Sequence, residues 1–169
     1  MGRDKSALVV GGQTLAERAL ATLRAVSDRQ VVLGHGRGCP EDVPRLPDTA
    51  PGQGPSAGLR ALLASGLGGL YLVLPVDMPG VRPEHLTRLL DARGERSAAC
   101  FSRGGELEPL PCVLAASAVL DADERSLVRL LQALSPALVP LPETAAADLR
   151  NLNHPEDLAS EGRRSAKFG

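Results

Sequence analysis

Short apolar runs alternate with amphipathic helical patterns along most of this chain, and that alternation limits the fold more than any other feature. Residues 70–76 (LYLVLPV) form a near-continuous apolar run, far too short to span a bilayer but right for a strand buried on both faces. Residues 13–27 place Leu15, Ala19, Leu20, Leu23 and Val26 on one helical face. Residues 56–65, 82–92 and 124–135 read as further helices, with Pro83 suited to a first turn. Residues 30–34, 97–102, 111–115 and 138–141 read as strands, and residues 155–160 as a short terminal helix. Apolar strands separated by helices predict an α/β domain, its parallel sheet covered on both faces. Ligands of such sheets sit beyond the carboxyl ends of the strands. One element is out of place. The helix at 13–27 has only ALVV (residues 7–10) before it, where a central strand is expected.

The chain has 169 residues, enough for one domain with its own core. That domain is expected over residues 1–160, with the polar end 161–169 disordered. A net charge of −1 gives no electrostatic footprint for nucleic acid or an anionic membrane. The aromatics Tyr71, Phe101 and Phe168 are too few for a base-stacking platform. Cys39, Cys100 and Cys112 are odd in number and widely spaced, unlike a disulfide framework or a zinc site. With no signal-peptide pattern, they read as reduced thiols of a cytoplasmic protein.

Three places carry candidate chemistry. In LPVDMPG, Asp77 follows the apolar strand, and Pro75 and Pro79 stiffen the exit. A lone carboxylate at the carboxyl edge of a sheet suits Mg²⁺, which completes its shell with phosphate oxygens and water; the plainer alternative is a cap on the following turn. The long Pro- and Gly-rich stretch 40–55 contains Asp48 and runs through glycines into the helix at Ser56. Its backbone can approach a ligand closely, or it is an ordinary connection. In NLNHPEDL, Asn151 and Asn153 share a side if extended, and Asn153 can also cap the helix that follows. Lys5 stands apart, because 17 of the 19 basic residues are arginine and the other lysine, Lys167, lies in the polar tail. A retained lysine suits a compact point charge. The GHGRG stretch at residues 34–38 lacks the spacing of a dinucleotide fingerprint.

Taken together these pieces are not independent. MG-x-DK at residues 1–5, GG-x-x-L-x-x-R, PD…GP-x-x-G-L, P-x-DMP, EPLP-x-V-L, SL-x-x-LL and N-x-N-x-PEDL follow one another in the order and spacing of one family. The chain resembles the molybdenum cofactor guanylyltransferase (MobA-like) nucleotidyltransferases up to Leu158. The resemblance implies a three-layer α/β/α, Rossmann-like domain with a mostly parallel sheet and its first strand missing. It implies transfer of GMP from GTP to molybdopterin, releasing pyrophosphate, with Mg²⁺ as cofactor. Lys5 and Asp77 would be catalytic, Asp77 would hold the metal, and Lys5, Asp48 and Asp77 would contact the nucleotide. Asn151 and Asn153 would face molybdopterin. Implied partners are GTP, molybdopterin, cofactor-delivery proteins and molybdoenzyme chaperones. Family members carry a strand and a loop LAGG-x-S-x-R immediately before MG-x-DK. The expectation is therefore a misassigned start or a truncation, with weak or absent catalysis by this chain as it stands. The alternatives are a sibling using CTP on molybdopterin or an NTP on a sugar phosphate, and a non-catalytic nucleotide-binding module.

Overall fold

A computed structural model describes residues 4–34, 36–47, 54–142, 145 and 147–152. A 3-10 turn, Lys5–Ala7, leads into two short antiparallel strands, β1 (Val9–Val10) and β2 (Gln13–Thr14). Helix α1 (Leu15–Arg24) follows, opened by a capping box. The Thr14 hydroxyl accepts from the Glu17 N–H, and Glu17 accepts from the Thr14 N–H. Strands β3 (Val32–Leu33) and β4 (Arg45–Leu46) pair in parallel. Next come α2 (Pro55–Ala64), β5 (Leu70–Val73), α3 (Pro83–Arg93), β6 (Ala98–Arg103), β7 (Glu106–Ala115), α4 (Leu127–Ala133) and β8 (Ala137–Pro140). The four helices read from periodicity are present, α1 and α4 with trimmed ends and α2 and α3 shifted by one residue. Residues 155–169, with the expected terminal helix and tail, lie outside the described residues. No described helix is long and apolar enough to cross a membrane.

The expected mostly parallel sheet is not what forms. The main sheet is four-stranded in the order β5-β7-β6-β8. Strand β7 runs antiparallel to both β5 and β6, while β6 and β8 are parallel. The cause is Gly104-Gly105, both at positive φ (57° and 88°). A two-residue hairpin needs that conformation, and it folds β7 back against β6 with Arg103 opposite Glu106. Pro109 and Pro111 hide the strand in the sequence, since proline discounts a central strand.

Alternation along β6 and β7 divides the core. Ala99, Phe101 and Val113 face Leu86 and Leu89 of α3 and Val139 of β8. Ala98, Cys100, Cys112 and Leu114 face Leu59 and Leu62 of α2 and Leu131 of α4. Helices thus cover both faces of a mixed sheet, giving three layers. Burial is nearly complete where the two faces meet: residues 98–101 and 112–114 are at 0% exposure. Several arginines tie loops by their guanidinium groups. Arg60 Nη1 donates to the carbonyls of Asp121 and Glu124, both at 3.1 Å. Arg45 bridges Gly36 O and Cys39 O at 2.9 and 3.0 Å. Arg96 reaches Ser135 O at 3.0 Å and Arg88 reaches Pro140 O at 3.1 Å.

The loop after β5 is braced by α3. His85 is buried, and its Nδ1 accepts from the Arg82 N–H at 3.1 Å. Its ring meets Phe101 edge-on at 6.2 Å. Asp148 lies 2.8 Å from Arg82 Nη2 and 3.6 Å from His85 Nε2. A Cβ on Gly80 would come within 2.8 Å of the Asp148 carbonyl oxygen, so only glycine lets these segments touch.

Burial holds His85 below its ordinary 6.5, against the pull of Asp148. The unfolded chain therefore binds this proton more readily than the folded one. Stability is expected to be intact above about pH 6.5 and to decline below it, and His85→Asn is expected to flatten that decline in urea melts run across pH. The thiols behave differently. All three cysteines are free and buried; burial pushes Cys100 up to about 12 and also raises Cys112 well above the ordinary thiol range, with Cys100 beside it adding to the effect. Both are expected to stay silent to a thiol reagent in native buffer and to react on unfolding, read by absorbance against denaturant.

Candidate active site

Strand β5 ends at Val73, and residues 74–77 carry the chain past the sheet to Asp77. The backbone carbonyl of Asp77 accepts from the Leu152 N–H at 2.8 Å, which brings the strand exit against the segment that carries Asn151. Lys5 arrives from the opposite end of the sequence. Its Nζ lies 3.0 Å from Asp77 Oδ2, with the two side chains 30% and 21% exposed. The pair is thus accessible at a cavity edge without being fully solvated.

Lys5 is placed by its neighbours. Asp4 caps the 3-10 turn: its Oδ1 accepts from Ser6 N at 3.0 Å and Ser6 Oγ at 2.6 Å. Its Oδ2 accepts from Arg37 N at 2.6 Å. These bonds, the Ser6 hydroxyl first, hold the Asp4 carboxyl below its usual range against the opposing effect of burial. Ser6, itself buried, accepts from Gly38 N at 2.9 Å. A Cβ on Gly38 would fall 2.2 Å from the Ser6 carbonyl oxygen, so the loop after β3 must carry glycine to close on this turn. The GHGRG stretch lacks the spacing of a dinucleotide fingerprint. The signal it holds is a close backbone approach, and nothing local names the partner.

A cavity of about 910 Å³ opens at the carboxyl ends of β3 and β5. Asp77, Asn151, Gly34, Pro47 and Gly54 line it at those ends, its mouth. Gly54 has φ of 72° and ends the approach to α2, whose first turn has no side-chain cap. Of the residues singled out from sequence, Lys5, Asp77 and Asn151 are brought to this mouth or its rim. Asp48 and Asn153 lie outside the described residues. The Asp77 carboxylate is a hard oxygen donor, and no group of three or more His, Cys, Asp or Glu able to hold a metal occurs among the described residues. That donor set fits an ion such as Mg²⁺, which binds through one or two carboxylates and takes its remaining ligands from phosphate and water. It does not fit zinc.

The chain matches the family described as the MobA-like NTP transferase domain over residues 1–140. Among curated relatives, a probable molybdenum cofactor guanylyltransferase of Opitutus terrae is 32% identical, over 98% of this chain and 90% of its own length. The molybdenum cofactor guanylyltransferase of Rhizobium leguminosarum bv. trifolii is also 32% identical, over 96% and 86%. In solved structures the fold is similar to molybdopterin-guanine dinucleotide biosynthesis protein A from Archaeoglobus fulgidus (TM-score 0.69, 24% identity, 99% of this chain and 93% of that one). It is equally similar to 2-C-methyl-D-erythritol 4-phosphate cytidylyltransferase from Thermus thermophilus (TM-score 0.70, 23% identity, 96% and 94%). The mixed sheet is therefore a nucleotidyltransferase-like α/β fold, and the chain belongs to the MobA-like NTP transferase family.

Proposed function

We propose that this protein transfers GMP from GTP to molybdopterin, forming the guanine dinucleotide and pyrophosphate. The observation that carries the reading is the meeting of Lys5 and Asp77, 72 residues apart, at 3.0 Å on the cavity edge. The names of the relatives supply the substrates. In the reaction an oxygen of the molybdopterin phosphate attacks the α-phosphorus of GTP. The bond to the bridging oxygen of the β-phosphate breaks, and pyrophosphate leaves with that electron pair. Little covalent help is needed from the protein; positioning and charge neutralisation dominate.

Lys5 supplies a cation for the triphosphate oxygens, as a point charge that tolerates movement of the phosphates. Asp77 would hold Mg²⁺, whose charge would stabilise the departing pyrophosphate. Asn151 presents amide donors and an acceptor on the same mouth, suited to the pterin side. Asp48 and Asn153 are assigned to the nucleotide and to molybdopterin by the family pattern alone.

Substituting Asp77→Asn keeps the shape and removes the charge. It is expected to lower Mg²⁺-dependent formation of the dinucleotide by about a hundredfold or more, with an unchanged circular-dichroism melt. Lys5→Ala is expected to cost roughly 10- to 100-fold through loss of a charge-assisted contact. Base choice is read by thermal unfolding with Mg²⁺ and GTP, CTP or ATP in turn. GTP at 100 times its Kd is expected to raise Tm by roughly 5–10 °C, and CTP and ATP to raise it less. A larger shift with CTP would move the reading to the cytidylyl sibling, and equal shifts with all three would remove base selection from this chain.

A further inference from the structure

Strand β7 leaves its ladder where it meets the site. It pairs with β6 down to Cys112 and again from Glu108 to Glu106, so residues 109–111 have no partner on β6. Pro109 and Pro111 carry no N–H, and the bulge therefore removes only one ladder donor, that of Leu110. Because β7 runs antiparallel to β5 and β6, the bulge lies toward the carboxyl ends of both, the end at which Asp77 follows β5. Glu108, Pro109 and Leu110 line the cavity together with Asp77. Among the described residues that line it, Asp77 and Glu108 are the two carboxylates.

Glu108 is anchored from one side. It pairs with Phe101 and lies diagonally across from Arg103, whose Nε is 3.1 Å from Glu108 Oε1. The Glu108 side chain is 33% exposed. A carboxylate has two oxygens and about four acceptor positions, so the contact with Arg103 orients the group and leaves acceptors for a ligand.

The two sides of Asp77 differ in chemistry. Gly34 follows β3, Pro47 follows β4 and Gly54 precedes α2; none of them carries a charged side chain. Strand β7 flanks β5 and brings a carboxylate. In an in-line transfer the attacking and leaving oxygens stand on opposite sides of the phosphorus. With the metal at Asp77, the nucleotide takes the glycine side, where its phosphates and base can approach the backbone closely. The acceptor takes the side of Glu108 and Asn151.

A pterin ring presents two donors side by side, N3–H and the 2-amino N–H. A carboxylate offers two adjacent acceptors to match them, whereas an amide offers one acceptor and one donor. We propose that Glu108 accepts from this paired-donor edge and so selects the acceptor of the transfer; the assignment rests on the reaction proposed above. Guanine carries the same pair at N1–H and its 2-amino group, so the test must separate the two rings.

The probes are 6-hydroxymethylpterin and 6-hydroxymethyllumazine, read by quenching of their fluorescence on titration with the full chain. The lumazine has an oxo group in place of the 2-amino group, and its edge matches an amide. The native chain is expected to bind the pterin about 10- to 100-fold more tightly than the lumazine, and Glu108→Gln is expected to reverse that order. In turnover the same substitution is expected to raise KM for molybdopterin by about tenfold or more and to leave KM for GTP unchanged. Equal affinity of the native chain for both pteridines, or binding of neither, would overturn the proposal. So would an equal loss of both on substitution, which would make Glu108 only a structural partner of Arg103. If Glu108→Gln exchanges GTP for xanthosine triphosphate as the nucleotide that raises Tm, the carboxylate reads guanine and the pterin assignment falls. A reversed pteridine preference in a chain that forms no dinucleotide would sink the reaction and keep the subsite. Dinucleotide formation with an unmoved KM for molybdopterin would sink the subsite and keep the reaction.

Discussion

One carboxylate, that of Asp4, holds the candidate site together. It accepts three hydrogen bonds, from Ser6 N, Ser6 Oγ and Arg37 N. Ser6 in turn accepts from Gly38. The start of the described chain is thereby pinned to the exit of β3, more than 30 residues away. Lys5 sits between the bonded residues, so its backbone has little freedom left to lose when its side chain reaches Asp77. Charge-assisted bonds of this kind are stronger than neutral ones, and three converge on one group.

Asp77 is bracketed independently. The Leu152 N–H holds its carbonyl, and Gly80 lies against Asp148, itself bonded to Arg82. The Lys5–Asp77 pair is therefore not what fixes its own geometry. A part-exposed ion pair contributes at most about 1 kcal/mol, too little to draw together two segments 72 residues apart. The backbone brackets on each side set the distance, and the two charges remain available to other charged groups at the mouth.

The helices were legible because their apolar faces recur at a helical period: Leu15 and Leu20 in α1, and Leu86 and Leu89 in α3, are buried, with Ala19, Leu23 and Val26 half-buried on the same α1 face. The position of Asp77 at a strand exit beside a cavity was legible because an apolar strand runs straight into PVDMPG. Strand β7 was less so, because two prolines interrupt it, yet the Gly-Gly between Arg103 and Glu106 was a readable hairpin signal. Strand β4 was missed inside the Pro- and Gly-rich stretch, where two residues give no period at all. The bonds from Asp4 and Ser6 to residues 37 and 38 were not legible by any local rule. They join residues far apart in sequence through polar atoms, and such contacts leave no periodic trace.

The arginine bias has a consequence for how this chain tolerates substitution. Arg60 and Arg45 each hold two carbonyls at once, on loops that have no strand partner there. The planar fork spans such a pair because its donors are fixed at different directions. A lysine ammonium, compact and more strongly hydrated, reaches one carbonyl or the other and gives up more water to do so. Exchanges of arginine for lysine, usually counted as mild, are at these two positions losses of a rivet between loops.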